Sequence, residues 1–330
     1  MSSAIDNTKT HRIAILDDYQ GVALKSADWT PVEARVSSIH VFRDTIHDQD
    51  ALVKRLEPFD IICAMRERTK FPKEVLERLP NLKFIATTGQ RNLGIDSCFA
   101  RTRGIPVSGT GNGGSPVLEH IWALILSLVR QIPAEDAHIK WGNPQWQTAV
   151  PLGLSGRTLG LLGVGKLGSQ VATIAKAFGM RVVGWSPNFT KERAEEAGVE
   201  CAESKAALLE QSDVLSVHLV LSPSTRHILK LEDLLLLKPT SYLINTSRGP
   251  LVDEEALVKV LKEGRIAGAG LDVYDVEPLP LDHPLRSAKN AVLTPHSAYA
   301  SDQNYQVFYK QTVENVLAFL DGKPVRVYSS

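Results

Sequence analysis

The chain has 330 residues, 43% hydrophobic and 22% charged, enough for two globular units that each bury a core. Its 37 Lys and Arg balance 37 Asp and Glu, so bulk charge offers no attraction to nucleic acid or to an anionic membrane. Cys63, Cys98 and Cys201 are odd in number and far apart, forming neither a disulfide framework nor a metal-ligand pattern. We expect all three as small buried hydrophobes in a reducing, cytoplasmic setting.

Residues 1–10 are polar and lack an apolar stretch, which argues against a secretory signal or an Arg-rich transit peptide. Residues 12–17 then read as a short buried strand, and residues 61–65 and 82–87 as two more. Helices are expected between them at 48–57 and at 72–79, the second opening on Pro72 in its first turn. Such alternation predicts βαβ units and a parallel sheet. Arg66 and Arg68 follow the 61–65 strand; Arg66 is placed to meet a polar substrate tail, and Arg68 is expected at the surface.

Residues 116–130 predict a long apolar helix with Ser115 as N-cap and Pro116 at N1. Glu119 and His120 interrupt its apolar run, which is too short to span a bilayer. Trp141 to Trp146 breaks the pattern into a loop. A second α/β series follows, with strands expected at 158–162, 181–185, 214–219, 242–245, 267–273 and 291–293. A last helix, 301–321, stops at Gly322 and Pro324, and the closing Val-Tyr-Ser-Ser matches no peroxisomal address.

The first strand of that second series runs without a gap into Gly163-Val164-Gly165-Lys166-Leu167-Gly168 and then into a helical pattern. Strand, G-x-G-x-x-G and helix in this order predict a dinucleotide turn. Gly163 permits the bend, Gly165 lets a pyrophosphate approach the backbone, and Gly168 lets helix pack on strand. The helix N-terminus offers unpaired N–H groups to the phosphates. The next strand ends in Ser186-Pro187-Asn188, where an NAD-selective site carries Asp or Glu for the ribose diol. Ser186 cannot repel a 2′-phosphate, Ser186 and Asn188 can donate to one, and Lys191 and Arg193 follow. NADP(H) is therefore favoured, with NAD(H) as the alternative.

Three polar residues follow apolar strands farther on: Arg248 after 242–245, Glu277 after 267–273 and His296 after 291–293. Ligands of open α/β sheets bind at the carboxyl ends of strands. Reduction of a 2-oxo acid needs a cation for the carboxylate and carbonyl, which Arg248 supplies as a permanently charged planar fork. It needs an acid able to titrate near neutrality, which His296 supplies, and a carboxylate on the far ring nitrogen, which Glu277 supplies.

With these segments in view, the sequence resembles the D-isomer-specific 2-hydroxyacid dehydrogenase family across nearly its whole length. The carriers are Gly163 to Gly168, His218-Leu219 with Thr225, Asn245 to Glu255, Leu271 to Pro278 and Pro295-His296, with Asn81 to Ile85, Asn92 to Asp96 and Glu119-His120 upstream. The resemblance implies two Rossmann-like or flavodoxin-like parallel-sheet domains. The cofactor domain (113–299) would be inserted into a split substrate domain (1–112 plus 300–330), with substrate in the cleft and closure excluding water. It implies His296 as acid/base, Glu277 as its partner and Arg248 as substrate-binding, with the amides near Gln90 and Arg91 holding the substrate carboxylate. It also implies cofactor contacts from Gly163, Gly165, Lys166, Leu167, Gly168, Ser186, Asn188, His218, Leu219, Thr225, Thr246, Ser247, Arg248, Asp272, His296 and Ala298, no metal, and a homodimer formed through the cofactor domain and the Trp141–Trp146 region. The expected substrate is a small 2-oxo or 2-hydroxy acid, with a glyoxylate or hydroxypyruvate type in front and a bulkier aliphatic or aromatic 2-oxo acid still open. Formate dehydrogenases of this fold pair the histidine with glutamine, so Glu277 speaks against them. Phosphite and phosphoglycerate dehydrogenases and a nucleotide-sensing corepressor-like binding module remain the alternatives.

Overall fold

A computed structural model describes residues 10–328; the residues before and after, on which part of the targeting expectations rest, lie outside the described residues. The chain divides into two compact units, one taking residues up to Gly114 and again from Ala300, the other Ser115–Tyr299.

In the first unit, β1 (Arg12–Ile15), α1 (Thr30–Glu33), β2 (Ser38–Val41), α2 (Gln49–Leu56), β3 (Ile61–Ala64), α3 (Lys73–Leu76), β4 (Phe84–Thr87), α4 (Ser97–Thr102) and β5 (Val107–Ser108) succeed one another. The strands pair in parallel in the order β2-β1-β3-β4-β5, a flavodoxin-like arrangement. Every residue of β3 and β4 is buried, as a parallel sheet covered by helices on both faces demands. Asp48 starts α2 by accepting from the amide of Ala51, and the helix sets Leu52 and Leu56 against Ile62, Val75 and Ile85. Each such fully buried side chain stabilises the unit by about 1.5–3 kcal/mol. The helix expected over 72–79 is one turn, with Pro72 at its N-cap. Arg68, expected at the surface, is half-buried there with its guanidinium over the ring of Tyr19 at 4.4 Å. Cys63 is buried as expected and its thiol is pushed up to about 12 by that burial, whereas Cys98 is exposed.

In the second unit, α5 (Pro116–Val129) and α6 (Ile132–Lys140) precede β6 (Thr158–Leu162), α7 (Lys166–Ala177), β7 (Arg181–Trp185), α8 (Lys191–Ala197), β8 (Glu200–Cys201), α9 (Lys205–Gln211) and β9 (Val214–Val217). Then come α10 (Leu231–Leu234), β10 (Tyr242–Asn245), α11 (Glu254–Lys262), β11 (Gly268–Leu271) and β12 (Ala291–Leu293). Seven parallel strands stand in the order β12-β11-β10-β9-β6-β7-β8. The order reverses between β6 and β9, the switch point where doubly wound sheets bind ligands. Apolar layers cover both faces, one built on α5 and α7, the other on α9, α10 and α11. Helix α5 approaches the sheet so closely that a Cβ at Gly270 would lie 3.0 Å from Leu128 and 3.2 Å from Leu124.

The chain returns to the first unit through α12 (Asp302–Leu320), capped by Ser301, whose Phe319 stacks on Phe84 of β4 at 4.6 Å. Among the described residues no single helix is long and apolar enough to cross a membrane.

Candidate active site

Strands β10, β11 and β12 run in register, Asn245 beside Leu271 and Leu271 beside Leu293, so the segments after them start at one level. After β10, Ser247 donates its hydroxyl to the Val217 carbonyl and Asn245 donates Nδ2 to the Arg248 carbonyl, which fixes the backbone that presents Arg248. After β11, the amide of Tyr274 donates to Glu277 Oε1 at 2.9 Å and holds that carboxylate on its own loop. After β12 comes His296. Its Nδ1 meets Glu277 Oε2 at 2.5 Å, so the sheet brings together two of the residues singled out from the sequence. Both side chains are partly exposed, at 25% for His296 and 31% for Glu277, so the dyad faces solvent-accessible space.

His296 sits at φ 50°, in the left-handed region that costs an L-residue about 1–2 kcal/mol. Asp272 compensates. Its buried carboxylate accepts from the amides of Ser297 at 2.9 Å and Ala298 at 2.8 Å, and from the Thr294 hydroxyl at 2.5 Å. Burial alone would raise the pKa of Asp272; hydrogen bonds from His120, Thr294, Ser297 and Ala298 outweigh it and hold the group below the ordinary carboxylate range. Asp272 and the Ala298 amide thus serve the loop that carries His296. Burial pushes the Tyr274 phenol up, and its hydroxyl donates to the Thr294 carbonyl at 2.9 Å.

The glycine turn lies at the switch point. Gly163 has φ 103°, and a Cβ there would stand 3.0 Å from the His218 backbone. A Cβ at Gly168 would stand 2.7 Å from the Gly163 carbonyl oxygen, whereas one at Gly165 meets nothing within 4 Å. The space before the start of α7, where Lys166 and Leu167 expose their side chains in whole or part, is therefore open. Across the switch point, Leu219 is half-buried and the His218 ring is enclosed, its two nitrogens without a partner among the described residues. Desolvation lowers that imidazole to about 4, so it is neutral. The Thr246 hydroxyl is likewise buried and unpartnered. An open glycine cradle flanked by orphaned polar atoms fits a dinucleotide. Thr225 differs: its hydroxyl closes its own turn with Val220 and Ser222. Past β7, Ser186 is half-buried and Asn188 exposed, and the Arg193 guanidinium reaches back to the Asn188 carbonyl at 3.4 Å.

On the other unit, Gln90 and Arg91 follow β4 through Gly89, at φ 88°, whose carbonyl accepts from Thr110 and Tyr328. Among the described residues neither the Gln90 nor the Arg91 amide has a hydrogen-bond partner. Arg66 lies over Gly89, close enough to exclude a Cβ there, and its carbonyl accepts from Asn92.

Comparison with known proteins decides the family. Residues 122–298 match the model of the D-isomer specific 2-hydroxyacid dehydrogenase NAD-binding domain. A glyoxylate reductase of Aeropyrum pernix is 41% identical over 258 residues, 76% of this chain and 77% of that one. The chain belongs to the D-isomer-specific 2-hydroxyacid dehydrogenase family. It is an oxidoreductase of 2-hydroxy acids with a nicotinamide-binding domain. Among solved structures, phosphoglycerate oxidoreductase from Vibrio cholerae superposes with a TM-score of 0.87 at 35% identity, covering 95% of this chain and 100% of that one. An acyclic imino acid reductase in complex with NADPH and D-Arg superposes with 0.72 at 30% identity, covering 96% and 100%.

Proposed function

We propose that this dehydrogenase reduces a small 2-oxo acid of the glyoxylate or hydroxypyruvate type, with NADP(H) favoured over NAD(H). The observation that carries the chemistry is the Glu277–His296 pair, joined through Nδ1 at 2.5 Å beside the Arg248 loop. With Nδ1 engaged, Nε2 is the nitrogen that exchanges a proton with the substrate oxygen. Glu277 holds the ring in that tautomer and stabilises the imidazolium. Arg248 takes the substrate carboxylate and draws charge onto the carbonyl oxygen. The bound nicotinamide supplies the hydride at C2. The glyoxylate type rests on the 41% identity with a glyoxylate reductase.

The preference for NADP(H) rests on the segment after β7, which offers Ser186 and Asn188 with Arg193 alongside and no carboxylate from Ser186 to Thr190. A relative of this fold binds NADPH. The homodimer reading rests on α6 and the loop after it. Trp141 is 86% and Trp146 76% exposed there, beside exposed Ile132, Ile139 and Val150, an apolar area that a partner subunit would cover.

A panel of 2-oxo acids, from glyoxylate and hydroxypyruvate to phenylpyruvate and 3-phosphohydroxypyruvate, assayed with both nicotinamides, tests the reading. The highest kcat/KM is expected for glyoxylate or hydroxypyruvate with NADPH. A preference for the phosphorylated or aromatic acid, or for NADH, overturns the corresponding part.

A further inference from the structure

Helix α5 carries a histidine that the proton-transfer chemistry leaves unused. His120 stands one turn before Leu124 and two before Leu128, on the face that packs against Gly270 of β11. Its side chain leaves α5 at the carboxyl edge of the sheet, where Nε2 lies 2.9 Å from Thr294 Oγ1 and 3.4 Å from Asp272 Oδ1. The ring is partly enclosed, its side chain 21% exposed.

The protons at this junction can be counted. The Thr294 hydroxyl has one, and it goes to Asp272 Oδ1 at 2.5 Å. Thr294 Oγ1 therefore faces His120 with a lone pair, and Asp272, with its four donors, is an anion that only accepts. Both neighbours of His120 Nε2 are acceptors, so Nε2 carries the hydrogen. From there the bonds run to Thr294, to Asp272, and to the amides of Ser297 and Ala298 on the far side of His296. His296 is thus held at φ 50° between Thr294 and Ser297, two residues tied to one carboxylate.

We infer that His120 is a positioning residue, whose Nε2–H braces Thr294 and Asp272 and thereby fixes the loop on which His296 transfers its proton. This rests on the reading of His296 as the acid/base group. His120 touches neither reacting atoms nor Glu277; it acts through the backbone of residues 294–298.

The test compares His120→Leu, which removes the donor, with His120→Gln, which keeps an N–H near the same place. Misplacing a reacting group by an ångström costs on the order of 100-fold, so kcat with glyoxylate and NADPH should fall about 10- to 100-fold in the leucine variant and recover to within about 3-fold in the glutamine variant. The Kd for NADPH should stay within about 3-fold in both, a split that general loss of structure does not give. Nitrogen-15 NMR of the parent should show His120 protonated at Nε2, and the His296 ring resonances should move in the leucine variant and return in the glutamine variant. A leucine variant with kcat within 2-fold of the parent, a glutamine variant as slow as it, or an unprotonated Nε2 overturns the inference. Should His120→Leu not fold, Thr294→Val against Thr294→Ser makes the same comparison through the hydroxyl. His296→Asn separates the two claims: full turnover in that variant removes the acid/base reading, while the His296 resonances still decide whether His120 positions the loop.

Discussion

Two glycines of the cofactor turn are expected to fail in opposite ways when given one methyl group. At Gly168 the new Cβ would lie 2.7 Å from the Gly163 carbonyl oxygen, a backbone atom that cannot swing aside. Helix α7 must then lift from β6. Overpacking against a backbone atom this close falls in the upper part of the usual range, about 2–3 kcal/mol, against roughly 1 kcal/mol returned by the better helix propensity of Ala. A net loss of about 1–2 kcal/mol lowers Tm by roughly 3–6 °C in a unit of this size. At Gly165 the Cβ meets nothing, and φ −105° with ψ −160° is open to any residue. Stability there should change by less than about 1 kcal/mol, since a poorer N-cap and a stiffer unfolded chain oppose each other. The methyl would nevertheless occupy the approach to the helix N-terminus, so NADPH affinity should fall at least about 10-fold, or 1.4 kcal/mol. Thermal melts without cofactor and fluorescence titrations with NADPH measure the two effects separately. Unchanged NADPH affinity in Gly165→Ala, or an unchanged melt in Gly168→Ala, would refute the assignment of that glycine.

The remaining expectations concern charge, partner and proton. His218 titrates at about 4 when folded against 6.5 when unfolded, so between these values the unfolded chain binds the extra proton. Stability present above pH 6.5 should thus drain away towards pH 4, by about 3 kcal/mol in total from this residue. Urea unfolding at pH 7.5 and 4.5 should show a markedly smaller loss in His218→Leu; an equal loss in both proteins would count against an enclosed neutral ring. Ser186→Asp adds a carboxylate that accepts from a ribose diol and repels a 2′-phosphate, so the NADPH-to-NADH ratio of kcat/KM should drop at least about 10-fold; an unmoved ratio would place the 2′-position elsewhere. Trp141→Glu with Trp146→Glu should shift light-scattering mass from two chains towards one if the proposed homodimer forms through this face, and an unchanged mass would remove the face from that proposal.

Much of the fold was readable because its core strands are short, apolar and bounded by turn residues. β6, β7, β10 and β12 lie at the expected residues, and β9 and β11 lie within theirs. What escaped had no periodic signal to give. β2 is only partly buried and carries His40 and Ser38, β5 and β8 are two residues long, and α6 buries none of its residues. Its two neighbouring tryptophans are exposed, although large aromatic residues are more often core. Glu277 and His296 could be paired from their places after adjacent strands. The tie from His120 to Thr294 could not, because it spans 174 residues and depends on how closely α5 meets Gly270. Asp272, expected among the cofactor contacts, also accepts from Thr294, Ser297 and Ala298 on the segment that carries His296, a tie that its place in the sequence does not reveal.

The central claim is that His296, backed by Glu277, gives the proton that completes reduction of a 2-oxo acid. Turnover of glyoxylate with NADPH by His296→Asn, measured beside NADPH binding, tests it most directly. A fall in kcat of about 100-fold or more is expected, with NADPH Kd within about 3-fold of the parent. A variant that reduces glyoxylate at the parent rate would contradict it.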